Sequence, residues 1–159
     1  MSQSDILPEG MRQLAGKILD GRHVLAVRVY YEDTDFSGVV YHAGYLRFME
    51  RGRTDYLRLK GIDHRAMFEA TEDSMTGFAF VVRSMQIEFL KSARMDDVLE
   101  IWTQPEDVKG ASASLLQKVI RGGETLIEAR VRFACVAAGK PRRIPDALRV
   151  AMLADVRAR

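Results

Sequence analysis

Val27–Thr54 reads VRVYYEDTDFSGVVYHAGYLRFMERGRT, and its pattern changes twice within those residues. The first change is from a β-like run, His23 to Tyr31, rich in Val and Tyr with Arg28 interleaved, to the polar loop Glu32 to Gly38. The second is into a helical run from Tyr41 to Lys60. Tyr45, Leu46, Phe48, Met49, Tyr56, Leu57 and Leu59 spread around much of that helix, so it should be buried on more than one side. Gly61 suits a C-terminal cap, and Arg58 and Lys60 complement the helix dipole in the last turn.

Outward from this stretch, the rest of the chain supplies mostly strands. Ile62 to Thr76 reads as irregular. Four strands are expected at Phe78 to Leu90, Val98 to Glu106, Ala111 to Arg121 and Thr125 to Val136. In the last, Ala129, Val131, Phe133 and Cys135 alternate with polar positions. Lys109-Gly110 and Gly122-Gly123 fall where hairpin turns belong. Pro145-Asp146 opens a short helix reaching about Val156. Before the first strand, Met11, Leu14, Ala15, Ile18 and Leu19 have helical spacing, so residues 1–22 are read as an extension with a short amphipathic helix ending at Gly21. Residues 23–159 form one domain. Consecutive hairpins make an antiparallel sheet whose apolar face needs a cover, and the only long element available is the helix at Tyr41 to Lys60. The expected fold is α+β: a five-stranded antiparallel sheet wrapped around a central helix, the hotdog arrangement, with short N- and C-terminal helices.

Bulk properties narrow the function classes. The 159 residues suit one domain, and 47% apolar residues suffice for a core. Twenty-four basic against 22 acidic side chains leave a net charge of +2, too balanced for a nucleic-acid binder. The single cysteine, Cys135, precludes an intramolecular disulfide and reads as a core residue. No stretch approaches the ~20 apolar residues of a transmembrane helix, and the start lacks a signal-peptide pattern. A cytoplasmic location is expected. The three histidines are scattered, so no metal site is expected, and no cofactor is implied.

The chemistry concentrates between Tyr30 and His42. Glu32, Asp33 and Asp35 lie within four residues, beside a glycine turn and just before a helix. A carboxylate can act as nucleophile or general base. The unpaired N–H groups of a helix start can stabilise an oxyanion. Together they suit acyl transfer. Acidic residues in such a place also serve as caps and turn formers. A calcium loop is excluded, because the position that needs a bidentate glutamate is Gly44 and no helix precedes.

The pattern D-x-D-x-x-G-V-V-Y-H-x-x-Y, here Asp33 to Tyr45, with F-V-V-R at Phe80 to Arg83 and A-R-M-D-D at Ala93 to Asp97, resembles the 4-hydroxybenzoyl-CoA thioesterase-like hotdog family. It looks in particular like the YbgC-type, Tol-Pal-associated acyl-CoA thioesterases. The resemblance covers roughly Val24 to Val136. It departs at Ser92, where the family often has proline, and in the longer segment before Val24. It implies hydrolysis of an acyl-CoA thioester, with Asp35 as nucleophile or general base. His42 would orient water or the acyl group, or assist the thiolate. The backbone N–H groups near Tyr41 and His42 would polarise the thioester carbonyl, and Gly38, Val40 and Tyr41 would line the substrate site. Read from the residues themselves, Arg83, Lys91 and Arg94 are cations near a sheet edge that suit the CoA phosphates, or else solvated strand residues. Acyl carrier protein thioesters are an alternative donor.

Glu50 and Arg53, one turn apart, read as a helix-face ion pair, or Glu50 as a second acid in the site. His23 and His64 read as incidental. Among rivals, a hotdog dehydratase or hydratase would want asparagine and proline after the aspartate, where Phe36-Ser37-Gly38 stand. A serine hydrolase would need a G-x-S-x-G elbow, which is absent. A non-catalytic acyl-thioester binder stays open. Exposed sheet edges predict a homodimer or homotetramer with the site at a subunit interface.

Overall fold

The computed structural model describes residues 14–67 and 77–158. Seven strands form one antiparallel sheet: β1 (Lys17–Leu19), β2 (Arg22–Arg28), β3 (Ala79–Phe89), β4 (Val98–Val108), β5 (Ser112–Arg121), β6 (Glu124–Ala137) and β7 (Lys140–Pro141). Their order is β1-β2-β4-β5-β6-β3, with β7 on the end of β6. The long helix α1 (His42–Leu59) lies against one face, and α2 (Asp146–Arg157) closes the chain. The five long strands, the central helix and the C-terminal helix stand where the sequence places them. β1 and β7 add short pairings.

Hydrophobic patterning explains the layers. β5 alternates buried and half-buried positions along nearly its whole length, turning Ala113, Leu115, Gln117 and Val119 toward α1. The helix answers with Tyr45, Phe48, Met49, Gly52 and Tyr56, a stripe at helical spacing. Tyr45, Phe48 and Met49 pack with Val29, Leu99 and Ile127 in one cluster. Tyr56 and Leu57 join Phe133, Leu148 and Met152 in a second.

The expected N-terminal helix is corrected in part. Lys17–Leu19 is a strand, paired with β2 in the register Lys17↔Val24 and Leu19↔Arg22. The cause is Asp20-Gly21, both at positive φ (50° and 75°), the pair favoured in a two-residue hairpin turn. Leu14 to Gly16 are not helical either; Met11 to Gln13 lie outside the described residues. Residues 64–67 make a helical turn within the segment expected to be irregular; residues 68–76 of that segment are also outside the described set.

Buried polar groups pin α1 to its surroundings. Gln117 donates to the Met49 carbonyl (2.9 Å) and to Thr103 Oγ1 (2.8 Å), while Arg53 donates to its Oε1 (2.9 Å). Asp55 meets His23 Nε2 at 2.6 Å and accepts from the Gly16 amide (2.7 Å). Tyr56 donates to Asp155 of α2 (2.7 Å), which Lys60 also reaches at 2.7 Å. His23 is therefore a buried anchor between β2 and the helix. At Gly52 the helix comes so close to the sheet that a Cβ would sit 2.9 Å from both Ile101 Cγ2 and Thr103 Oγ1. Gly52→Ala should therefore lower stability by about 1–3 kcal/mol through overpacking, against the gain of up to ~1 kcal/mol that alanine offers in an exposed helix. A rise in the urea midpoint would contradict this seating of the helix.

Candidate active site

The loop between β2 and α1 is tied to itself. Tyr31–Asp33 form a 3-10 turn, and the Asp33 carboxylate accepts from the Tyr30 amide (2.8 Å). Thr34 and Val40 then bridge, and the Asp35 amide donates to the Val39 carbonyl (3.0 Å). The chain reverses through Asp35-Phe36-Ser37-Gly38, with Gly38 at φ 79° and its amide donating to the Asp35 carbonyl. The Val40 amide donates to the Ala93 carbonyl (2.9 Å), and the Ala93 amide donates to Tyr45 Oη (2.8 Å). These bonds fix the reaction loop to the segment after β3 and to the first turns of α1.

Asp35 stands at the tip, with an exposed side chain. One carboxylate oxygen accepts from the Ser37 amide (2.8 Å) and from the Ser37 hydroxyl. The Ser37 hydroxyl, then its amide, and to a smaller extent the nearby His42 hold the Asp35 carboxyl below its ordinary range. Asp35 is thus a carboxylate at neutral pH, with its second oxygen free of these bonds. His42 opens α1 and is exposed. Its ring lies 4.4 Å from that of Tyr41 and 6.2 Å, edge-on, from that of Phe89.

A cavity of about 280 Å³ brings Asp35, His42, Val40, Tyr45, Phe89 and Lys91 together. Of the residues expected to meet the thioester, Gly38, Val40 and Tyr41 have their amides already donated, to Asp35, Ala93 and Asp33 respectively. The Gly44 amide donates to the Tyr41 carbonyl (2.7 Å), which leaves the amides of His42 and Ala43 for a carbonyl in the first helical turn. Lys91 borders the cavity and reaches Glu124 at 2.7 Å. Arg94 lies three residues further on, its amide bonded to Asp97 (2.9 Å). Arg83 stands apart, in the irregular step of β3 between Val82 and Ser84. Cys135 is buried in the second core cluster, where burial pushes its thiol up.

Two partners in this region had no sequence signal. Arg121 donates to the Ser92 carbonyl (3.1 Å) and to Asp97 (2.8 Å), and so holds the segment that carries Lys91 and Arg94. Phe89 becomes part of the cavity only through strand pairing. Glu50 and Arg53 do not form the expected ion pair. Glu50 accepts from Thr54 (2.6 Å), and Arg53 turns to Gln117.

The chain belongs to the Thioesterase-like superfamily, which it matches over residues 29–152. Within it, the chain is 42% identical over 123 residues to the acyl-CoA thioesterase YbgC of Haemophilus influenzae, covering 77% of this chain and 87% of that protein. It is also 42% identical over 125 residues to the acyl-CoA thioester hydrolase YbgC of Escherichia coli O6:H1, covering 77% and 89%. A crystal structure of a probable thioesterase from Bartonella henselae superposes with a TM-score of 0.73 at 42% identity, covering 78% of this chain and 99% of that one. The hotdog arrangement is thereby established for this chain.

The Ser37 bonds make a direct prediction. Ser37→Ala removes the hydroxyl that does most to stabilise ionised Asp35, so the carboxyl should titrate at higher pH than in the wild type. Carbon-13 NMR of the Asp35 carboxyl would show it, and an unmoved midpoint would refute the assignment.

Proposed function

We propose that this protein hydrolyses acyl-CoA thioesters to the free acid and CoA, with Asp35 as the reacting carboxylate. One observation carries the reading: an ionised aspartate shares a cavity with the start of α1, whose His42 and Ala43 amides can receive a developing oxyanion. The names of the relatives agree with it.

In this mechanism the thioester carbonyl points its oxygen at those amides. The free Asp35 oxygen attacks the carbonyl carbon, the C–S bond breaks, and CoA leaves as its thiolate. Water then opens the acyl-aspartate anhydride and regenerates the carboxylate. Alternatively, Asp35 takes a proton from a water that attacks in its place. His42, beside Phe89 at the cavity wall, orients that water or protonates the thiolate. Lys91 and Arg94 supply positive charge for the CoA phosphates. Acyl carrier protein thioesters present the same pantetheine arm and fit the same chemistry. The lone buried cysteine suits a reducing cytoplasm.

The working unit is a homodimer, or a tetramer built from it. β3 pairs with β6 on one side only, and it exposes Val81, Val82 and Phe89 along an 11-residue edge. Such an edge invites pairing with another copy. A fully active monomer in sedimentation would sink this part of the reading.

The decisive assay follows thiol release from acetyl-, butyryl-, octanoyl-, hexadecanoyl- and benzoyl-CoA. Asp35→Asn should lower kcat/KM by ~100-fold or more, about 2.7 kcal/mol of barrier. A variant as fast as the wild type would remove Asp35 from the chemistry. Binding of acyl-CoA without turnover by the wild type would favour a non-catalytic binder.

A further inference from the structure

Lys91 borders the Asp35 cavity, but its ammonium is already engaged. Glu124, the first residue of β6 after the Gly122-Gly123 turn, takes it at 2.7 Å. The other Glu124 oxygen accepts from Arg121 (3.1 Å), its cross-strand neighbour on β5. The Lys91 backbone is fixed separately. The amides of Leu90 and Lys91 both donate to the Leu126 carbonyl (2.8 and 3.1 Å). The ammonium can therefore change partners while the chain that carries it stays in place.

Two carboxylates balance the two cations of this cluster, and they are tied in different ways. Asp97 accepts from the Arg94 amide (2.9 Å) and from Arg121 (2.8 Å). The Arg94 amide, then Arg121, hold its carboxyl below the ordinary range, so Asp97 belongs to the backbone turn it closes. Glu124 is held by side chains on both oxygens, and Lys91 does most to hold its carboxyl low. Without Glu124, Arg121 would keep the Ser92 carbonyl (3.1 Å) and Asp97, so the wall of the cavity would keep its supports.

The Lys91–Glu124 pair is also open to water, its side chains 57% and 39% exposed, and ion pairs so placed are weak and exchange readily. A phosphate is a better partner for the same ammonium. It offers more acceptor oxygens and, as a monoester, roughly −1.5 to −2 of charge against the −1 of a carboxylate.

We propose that Glu124 is a displaceable counter-anion: a phosphate of the substrate takes the Lys91 ammonium from it, and Glu124 thereby sets how tightly the site holds phosphate-bearing thioesters. This rests on the thioesterase reading above and makes Glu124 a specificity residue. Its charge competes for Lys91 and repels the incoming phosphate. A thioester without phosphate meets neither effect.

The test compares octanoyl-CoA, octanoyl-4′-phosphopantetheine and octanoyl-pantetheine on the wild type and on Glu124→Gln, which keeps the shape and an acceptor for Arg121. The variant should raise the ratio of kcat/KM on octanoyl-CoA to that on octanoyl-pantetheine ~3-fold through KM, the scale of an exposed ion pair. The gain should shrink as salt is raised from about 50 to about 500 mM, because screening weakens exposed charges. An equal gain on octanoyl-4′-phosphopantetheine assigns the exchange to the phosphate on the pantetheine arm, and a gain on octanoyl-CoA alone assigns it to the nucleotide end. A ratio that stays level or falls overturns the proposal. In a Lys91→Ala background the same substitution should leave the ratio unmoved; a second ~3-fold rise there overturns Lys91 as the shared partner. Should the wild type cleave none of the three, the thioesterase reading fails, and calorimetry with CoA itself still decides the exchange. Glu124→Gln should lower its Kd ~3-fold, and an unchanged Kd overturns the counter-anion.

Discussion

The contact that organises this molecule is the seat of α1 on the sheet at Gly52. With no side chain there, the helix backbone settles against Ile101 and Thr103, and Gln117 locks it by donating to both the Met49 carbonyl and Thr103. This lock sits in the middle of the helix. N-terminal to it, Tyr45, Phe48 and Met49 pack in the first core cluster, next to the loop that carries Asp35. C-terminal to it, Tyr56 and Leu57 pack in the second cluster, and the helix is tied down by Asp55 to His23 and by Tyr56 to Asp155. A helix held at its centre and anchored near its end fixes its first turns, which border the Asp35 cavity.

The reaction loop has few hydrophobic contacts of its own and depends on hydrogen bonds to its neighbours. Val40 leans on Ala93 through its amide, and Ala93 on the Tyr45 hydroxyl. The Ala93 segment is in turn shaped by Arg121, whose guanidinium bridges Ser92, Asp97 and Glu124. The position of the Asp35 loop is thus set by residues from β5, α1 and the β3–β4 connection, acting through backbone groups. Side chains of many kinds can hold a backbone group, which is why this support left no motif.

What was legible in the sequence follows from the range of the interactions involved. The strands and α1 declare themselves through local periodicity, and Asp35, Gly38 and His42 through their crowding before a helix start. The N-terminal segment misled because Leu14, Ile18 and Leu19 also satisfy helical spacing. The stronger local signal was Asp20-Gly21, whose positive-φ turn folds Lys17–Leu19 back onto β2. His23 looked incidental because its partner, Asp55, lies 32 residues away. Glu50 and Arg53 were matched to each other by spacing, but tertiary contacts gave Arg53 to Gln117, 64 residues distant. Of the N–H groups near Tyr41 and His42 expected to polarise the carbonyl, that of Tyr41 is taken by the Asp33 carbonyl, a loop contact that spacing does not reveal.

The electrostatics of Asp35 place a demand on the rest of the site. A carboxylate held below its ordinary range by Ser37 is ionised at working pH, yet it is also a weaker base and nucleophile than an unperturbed one. Exposed to water, it gains little from the low dielectric that strengthens catalytic charges elsewhere. In the proposed mechanism the barrier is therefore lowered chiefly on the electrophile's side, by the amides at the start of α1, and such amides act strongly only where water is excluded. In a single chain Asp35, Phe36 and Tyr41 are exposed and the cavity is open. In the proposed dimer, a second copy on the β3 edge would bring apolar surface beside Phe89 and supply that exclusion. On that proposal the exposure of Asp35 and the unpaired edge of β3 have one remedy, the pairing of two copies.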